Sequence, residues 1–314
     1  MVEIIFNEEN IKLSDFLLKK YNTLTFGSIN KYLRENKIKV NGKKMPLSTI
    51  LKKKDQIKLF INDEILKEKK YEYHFCYAKD ELKILFEDND LMLVDKISGL
   101  IVSDSKIKDT LINRCLKYLY NKGEYSPKTD FTPCLCHRLD TGTSGIVVIA
   151  KTQKAKEFIE VLFKNSKMKK EYLCVTFNIP TPKKAMLTGY HKKDAKNGIV
   201  TIKNTQMKNS VMVKTSYEVI ATSGVLALLK VGLITGKTHQ IRAHLKSIGT
   251  PILGDSKYGN NMENRKRKLK YQALCANKIT FPKIEDDYFS KYSNLIVKTE
   301  KPWYFKQIID KVLK

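Results

Sequence analysis

His137-Arg138-Leu139-Asp140-Thr141-Gly142-Thr143-Ser144-Gly145 runs straight into Ile146-Val147-Val148-Ile149-Ala150-Lys151, and this is the most informative stretch of the chain. An arginine and an aspartate, two positions apart, stand just before a turn rich in Gly, Thr and Ser. An unbroken apolar strand leads away from that turn. Functional carboxylates tend to sit on loops that a rigid element holds in place. Gly142 and Gly145 would let backbone approach a ligand closely. The plainer alternative is a turn aspartate that caps its own loop.

On either side, apolar residues recur in short runs. Strands are expected over 82–86, 91–96, 145–151, 171–177, 214–220, 225–233 and 271–281. Thr152 is placed to cap a helix whose Ala155, Phe158, Ile159, Leu162 and Phe163 form one stripe. Thr238 begins another, with Ile241, Leu245 and Ile248 on one side. No repeat of fixed period appears. Many strands, few helices and no regular βαβ rhythm predict an α+β fold around a mostly antiparallel sheet.

Residues 10–60 read as a separate small module. Leu13, Phe16 and Leu17, then Ile29, Tyr32 and Leu33, recur at helical spacing and predict two short amphipathic helices. Ile38-Lys39-Val40-Asn41-Gly42-Lys43-Lys44-Met45 alternates before Asn-Gly and predicts a tight hairpin. Ile57, Leu59 and Ile61 predict a further strand. Residues 62–80, charged and aromatic, read as a linker into the larger domain, so the expected division is 1–75 and 76–314.

Lys and Arg number 59 against 33 Asp and Glu, a net charge of +26. That surplus attracts polyanions and repels itself unless a partner neutralises it. Nucleic acid is the leading partner class, with an anionic membrane surface second. Runs such as Lys52-Lys53-Lys54 are also what a lysine-rich coding bias produces. No apolar run approaches the roughly 18 residues of a spanning helix. The N-terminus lacks a basic-then-apolar signal pattern, so the expectation is a soluble cytoplasmic protein. The six cysteines are scattered, as reduced thiols would be. Cys134-Leu135-Cys136-His137 contains three possible metal ligands but no second ligand pair at zinc spacing. Cys134 and Cys136 are more simply small apolar residues facing one side of a strand.

A second stretch, Gly236-Lys237-Thr238-His239-Gln240-Ile241-Arg242-Ala243-His244-Leu245, continues to Gly249-Thr250-Pro251-Ile252-Leu253-Gly254-Asp255-Ser256-Lys257-Tyr258-Gly259. A helix that opens after a strand presents free N–H groups suited to an anion. Arg242, about one turn in, is positioned to pair bidentately with a carboxylate; the alternatives are a surface arginine and a packing histidine at 244. A third stretch, Lys169-Lys170-Glu171-Tyr172-Leu173, opens a strand, where a tyrosine is usually a packing residue.

Together the three stretches resemble the RluA family of pseudouridine synthases. HRLDTGTSG is similar to the signature around that family's nucleophilic aspartate, GKTHQIRAHLKSIGTPILGDSKYG to its second signature, KKEYL to the segment with its active-site tyrosine, and LMLVDKISGL to an early strand motif. The resemblance spans about Leu82 to Phe281. Residues 10–60 resemble an S4 RNA-binding domain by their ααβ order and IKVNGKKM hairpin. Lys237 stands where the family more often has Arg, and Ile97 and Ser103 where it often has Pro and His. These departures bear on substrate preference and leave Asp140, Tyr172 and Arg242 intact.

The resemblance implies a mostly antiparallel, mixed-sheet catalytic domain of the pseudouridine synthase type behind a small S4-like domain. It implies isomerisation of uridine to pseudouridine in RNA, without cofactor or metal. Asp140 is then the catalytic nucleophile. Arg242 pairs with Asp140, Tyr172 stacks on the uracil, and Arg138 supports the extruded nucleotide, all three in substrate binding. The basic run over 264–270 is either a phosphate-binding stretch or a solvated loop. Ribosomal RNA of the large subunit is the favoured partner. Transfer RNA, and a non-catalytic role as an RNA-binding ribosome-assembly factor, are the alternatives. The expected state is a monomer.

Overall fold

The computed structural model describes residues 1–8, 10–21, 23–24, 26–66, 73–194 and 197–313. They fall into two compact units, 1–72 and 73–314. The expected boundary at 75 lies inside the second unit, because Phe75 is buried in that unit's core. Of the expected linker, residues 67–72 lie outside the described residues.

In the first unit, β1 (Val2–Ile5) pairs antiparallel with β5 (Gln56–Leu59), whose other edge takes β3 (Ile38–Val40). A short ladder joins β2 (Ile11–Lys12) to β4 (Ile50–Leu51). Helices α1 (Leu13–Lys20), α2 (Phe26–Arg34) and α3 (Asp63–Leu66) complete the unit. The two predicted amphipathic helices are α1 and α2: Leu13, Phe16, Leu17 and Ile29 enter the core, and Tyr32 and Leu33 pack on it. Asn41 and Gly42, at φ of 50° and 77°, make the tight turn, and Val40 and Lys43 exchange both backbone hydrogen bonds at 2.9 and 3.0 Å. The predicted hairpin stops at that pair. Pro46, which has no N–H to give a ladder, follows closely, and Ile38–Val40 finds its partner in β5 instead.

The second unit is built on one sheet. Its strands are β6 (Ile84–Glu87), β7 (Leu91–Lys96), β8 (Cys134–Leu135), β9 (Ser144–Ala150), β10 (Lys169–Phe177), β11 (Lys184–Asp194), β12 (Ile199–Lys203), β13 (Val211–Ser223), β14 (Leu226–Leu233), β15 (Leu274–Thr280) and β16 (Ile296–Lys298). The spatial order is β12-β11-β13-β14-β10-β15-β9-β7-β6, with β8 beside β9 and β16 beside β15. The pairings among described residues are antiparallel, except that β9 runs parallel to β15 where Ser144 and Gly145 meet Cys275 and Ala276. The helices are α4 (Leu111–Asn121), α5 (Gln153–Lys164), α6 (Gln240–Ser247), α7 (Asn261–Lys266) and α8 (Trp303–Ile309). The architecture is α+β, as expected from the sequence.

Both faces of the central strands are covered. On β9, Val147 and Ile149 join one apolar cluster while Ile146, Val148 and Ala150 join another. That is why β9 reads as an unbroken apolar run, since alternation survives only where one face meets water. Short β8 is likewise covered on both faces, with Leu135 packed on the first cluster and Cys134 and Cys136 facing the second together. Burial pushes the Cys136 thiol up to about 12. Thr152 does cap α5, accepting from the Ala155 N–H at 3.2 Å. The second predicted helix begins at Gln240 rather than Thr238, with His239 at its N-cap in the left-handed region. Ile241 and Leu245 are buried there, but Ile248 lies past the helix end and is exposed.

The glycines of the signature serve packing. A Cβ on Gly145 would stand 2.3 Å from the Ala276 carbonyl oxygen, and one on Gly142 would stand 2.2 Å from Gln272 Oε1. The room that these residues were expected to leave for a ligand is filled by the neighbouring strand and by a side chain.

Candidate active site

Asp140 lies in the turn that feeds β9, and the Thr143 N–H donates to its carbonyl at 3.0 Å. Lys96 holds the turn from behind. It is fully buried, and its ammonium donates to the carbonyls of Ile97, Leu100 and Thr141 at 3.0, 2.9 and 3.0 Å. Burial pulls its pKa down to about 8 against the opposing pull of the Asp140 charge. Gln272 holds the turn from the side, donating from Nε2 to Thr143 Oγ1 at 3.0 Å.

Arg242 reaches Asp140 from α6, with Nη1 donating to Oδ2 at 2.7 Å. Its bidentate partner is a different carboxylate. Nε and Nη2 donate to Oδ2 and Oδ1 of Asp255 at 2.7 and 2.8 Å. Asp255 is wholly buried and also accepts from the N–H groups of Lys257 and Tyr258. Burial opposes the Arg242 charge, but the two carboxylates outweigh it and raise the guanidinium further. The Tyr258 ring lies 5.1 Å from the guanidinium carbon, adding a cation–π contact.

His239 completes the inner wall. Its Nδ1 lies 2.9 Å from Tyr258 Oη, which itself accepts from the Val200 N–H at 2.7 Å. Its Nε2 lies 3.8 Å from Asp140 Oδ1. Burial, reinforced by Arg242 and Lys257, holds the His239 pKa below the usual histidine value despite the Asp140 charge.

These groups line a cleft of about 760 Å³ in which Asp140 is the one acidic residue among those described. Tyr172, on β10, lines it with its ring almost wholly buried. Burial, with the Asp140 charge beside it, pushes the phenol well above its ordinary value, so the hydroxyl stays neutral and the ring offers an apolar face. Arg138 stands exposed at the cleft and makes no hydrogen bond or ion pair with other described residues. Its neighbour His137 is occupied, its Nε2 accepting from the Val148 N–H at 3.1 Å. All four residues singled out in the sequence, Asp140, Arg138, Tyr172 and Arg242, thus line one cleft.

Sequence reasoning missed Asp255, Tyr258, His239 and Lys96 as parts of this arrangement. The first two lie in the GDSKYG segment, whose residues carried no spacing cue toward Arg242. Lys96 carried no cue either, since a lysine at a strand end normally faces water.

Residues 90–247 match the family described as RNA pseudouridylate synthase. The chain is 36% identical over 308 residues to an uncharacterized RNA pseudouridine synthase of Mycoplasma genitalium, covering 94% of each. It is 32% identical over 304 residues to ribosomal large subunit pseudouridine synthase C of Rickettsia felis, again covering 94% of each. Among solved structures, human RNA pseudouridylate synthase domain containing 4 shares the fold, with a TM-score of 0.57 and 22% identity over 73% of this chain and 92% of that one. No helix among the described residues is long and apolar enough to cross a membrane. The catalytic unit's sheet, its cleft and these similarities lead to one conclusion: the chain belongs to the RNA pseudouridylate synthase family and is an enzyme that isomerises uridine to pseudouridine in RNA.

Proposed function

We propose that the chain is an RluA-type synthase acting on large-subunit ribosomal RNA, with Asp140 as its nucleophile. The observation that carries the catalytic assignment is the 2.7 Å contact between Arg242 Nη1 and Asp140 Oδ2, in a cleft with no other acidic residue among those described. The ribosomal substrate is supported by the Rickettsia felis relative's name.

The reaction breaks the bond from uracil N1 to the ribose C1′ and joins C5 to C1′. The C5 proton leaves and N1 gains one, so substrate and product are isomers. A carboxylate that bonds covalently to the substrate divides this into easier steps. Arg242, held by Asp255, fixes the direction in which Asp140 attacks. Tyr172 gives the uracil a stacking face beside the nucleophile. A base cannot reach Asp140 while it is stacked in paired RNA, so the nucleotide is flipped out, and Arg138, which has no hydrogen-bond or ion-pair partner among the described residues, supports the opened strand.

The N-terminal unit is read as an S4-like RNA-binding domain, on its helices, its Asn-Gly turn and its lysines. The enzyme is read as a cytoplasmic monomer that needs no cofactor or metal. The test is incubation with unmodified large-subunit ribosomal RNA, mapping pseudouridines by a chemical stop assay with Asp140→Asn as control. New stops that vanish with the mutant are expected. Stops on total transfer RNA alone would replace the ribosomal substrate with a transfer RNA one, and none on either RNA would favour a binding-only role.

A further inference from the structure

The buried lysines of the catalytic unit are a ready comparison set. Lys96 has three carbonyl partners. Lys151, 7% exposed in its side chain, has Glu87, the Asp88 carbonyl and Glu124. Lys170 is different. It is half-buried at the start of β10, with its ammonium 5.3 Å from the Phe163 ring centroid, yet among the described residues it has no hydrogen-bond or ion-pair partner. Gly236 keeps its place open, since a Cβ there would stand 3.2 Å from Nζ. The His137 ring packs on the same Phe163 with centroids 4.9 Å apart. That imidazole is held neutral, its pKa pushed down to about 3 by burial and by the Lys170 charge, so it gives the ammonium no counter-charge.

A cation taken partly out of water without a partner is a cost that an anion must offset. Among the described residues that line the cleft, the one carboxylate, Asp140, is already held by Arg242. An anion from outside is therefore needed, and an RNA strand entering the cleft brings phosphodiesters. Lys170 and Tyr172 both line the cleft and are two strand positions, or roughly 7 Å, apart. A base on Tyr172 then places its own backbone within reach of the ammonium.

We propose that Lys170 binds a backbone phosphate next to the uridine that enters the cleft. This rests on the cleft being the uridine site, and adds a residue that anchors the strand rather than acting on the base.

The test measures the Kd of an unmodified large-subunit ribosomal RNA transcript for the full chain across a range of KCl, in an Asp140→Asn background that removes turnover from the measurement. Lys170→Met, similar in length and still able to pack on Phe163, is expected to weaken binding roughly tenfold at low salt. The slope of log affinity against log salt should fall by about 0.7–0.9, the share of one phosphate. Lys170→Arg should restore most of that slope. With Asp140 intact, Lys170→Met should raise KM while kcat at saturating RNA stays within about twofold.

A wild-type slope in Lys170→Met would overturn the proposal, as would Lys170→Arg failing as badly as Lys170→Met, which indicates packing. A lowered kcat at unchanged KM would overturn it too. Turnover by Asp140→Asn itself would remove the nucleophile assignment, while a reduced slope in Lys170→Met would still establish the phosphate contact.

Discussion

Arg242 and Asp255, thirteen residues apart, form a buried fork in which Nε and Nη2 of one meet both carboxylate oxygens of the other. Only Nη1 is left over, and it is aimed at Asp140. Asp255 thereby fixes the guanidinium plane, and the plane fixes where the Asp140 carboxylate can sit.

Asp255→Asn removes half of a buried ion pair and leaves Arg242 without its anchor. Unfolding free energy should fall by about 3–5 kcal/mol, read by urea denaturation, and kcat should fall with it. Unchanged stability would mean that the fork does not hold in solution.

Asp140→Asn keeps the size of the side chain and the Arg242 Nη1 contact through its amide oxygen. RNA binding should remain near wild type while pseudouridine formation drops below detection in the stop assay. Turnover at the wild-type rate would remove Asp140 from the mechanism.

The two most perturbed histidines make stability depend on acid. Burial lowers His137 from 6.5 to about 3 and His244 from 6.5 to about 4. In the unfolded chain each takes up a proton near 6.5, whereas in the fold it resists, so the unfolded state binds more protons over that window. Stability is complete above about pH 6.5 and declines as pH falls toward 4, by up to about 1.4 kcal/mol per pH unit for each histidine. His137→Gln should flatten this slope in urea titrations from neutral to mildly acid pH, and a wild-type slope in that variant would contradict the assignment.

Gly145→Ala tests the turn. Gly145 has φ of +109°, and its missing Cβ is what lets β15 lie parallel to β9. The substitution strains the backbone and meets the Ala276 carbonyl, so Tm should drop by several degrees and activity with it. Gly249→Ala carries the positive φ with open space around it and should cost less, which separates the clash from the strain.

The sequence by itself determined the local elements and the identity of the chemical groups. The run from Ile146 to Ala150 marked a strand covered on both faces, Thr152 marked a helix start, and Asn41-Gly42 marked a turn, because each rests on contacts within a few residues. The three signature stretches, by resemblance, named Asp140, Tyr172 and Arg242 together. Strand β11 went unread because its exposed lysines break the apolar pattern, and short β12 because only Val200 and Ile202 are buried on it. What only the tertiary structure decided was which groups meet. Asp140 and Arg242 are 102 positions apart, and Gln272 reaches Thr143 across 129. Pairings over such distances depend on sheet order, here on β9 lying against β15 while α6 packs over the sheet. Burial follows from the same order: it leaves Lys96 satisfied by three carbonyls and Lys170, among the described residues, without a hydrogen-bond or ion-pair partner, a difference that residue type alone cannot carry because both are lysines within strands.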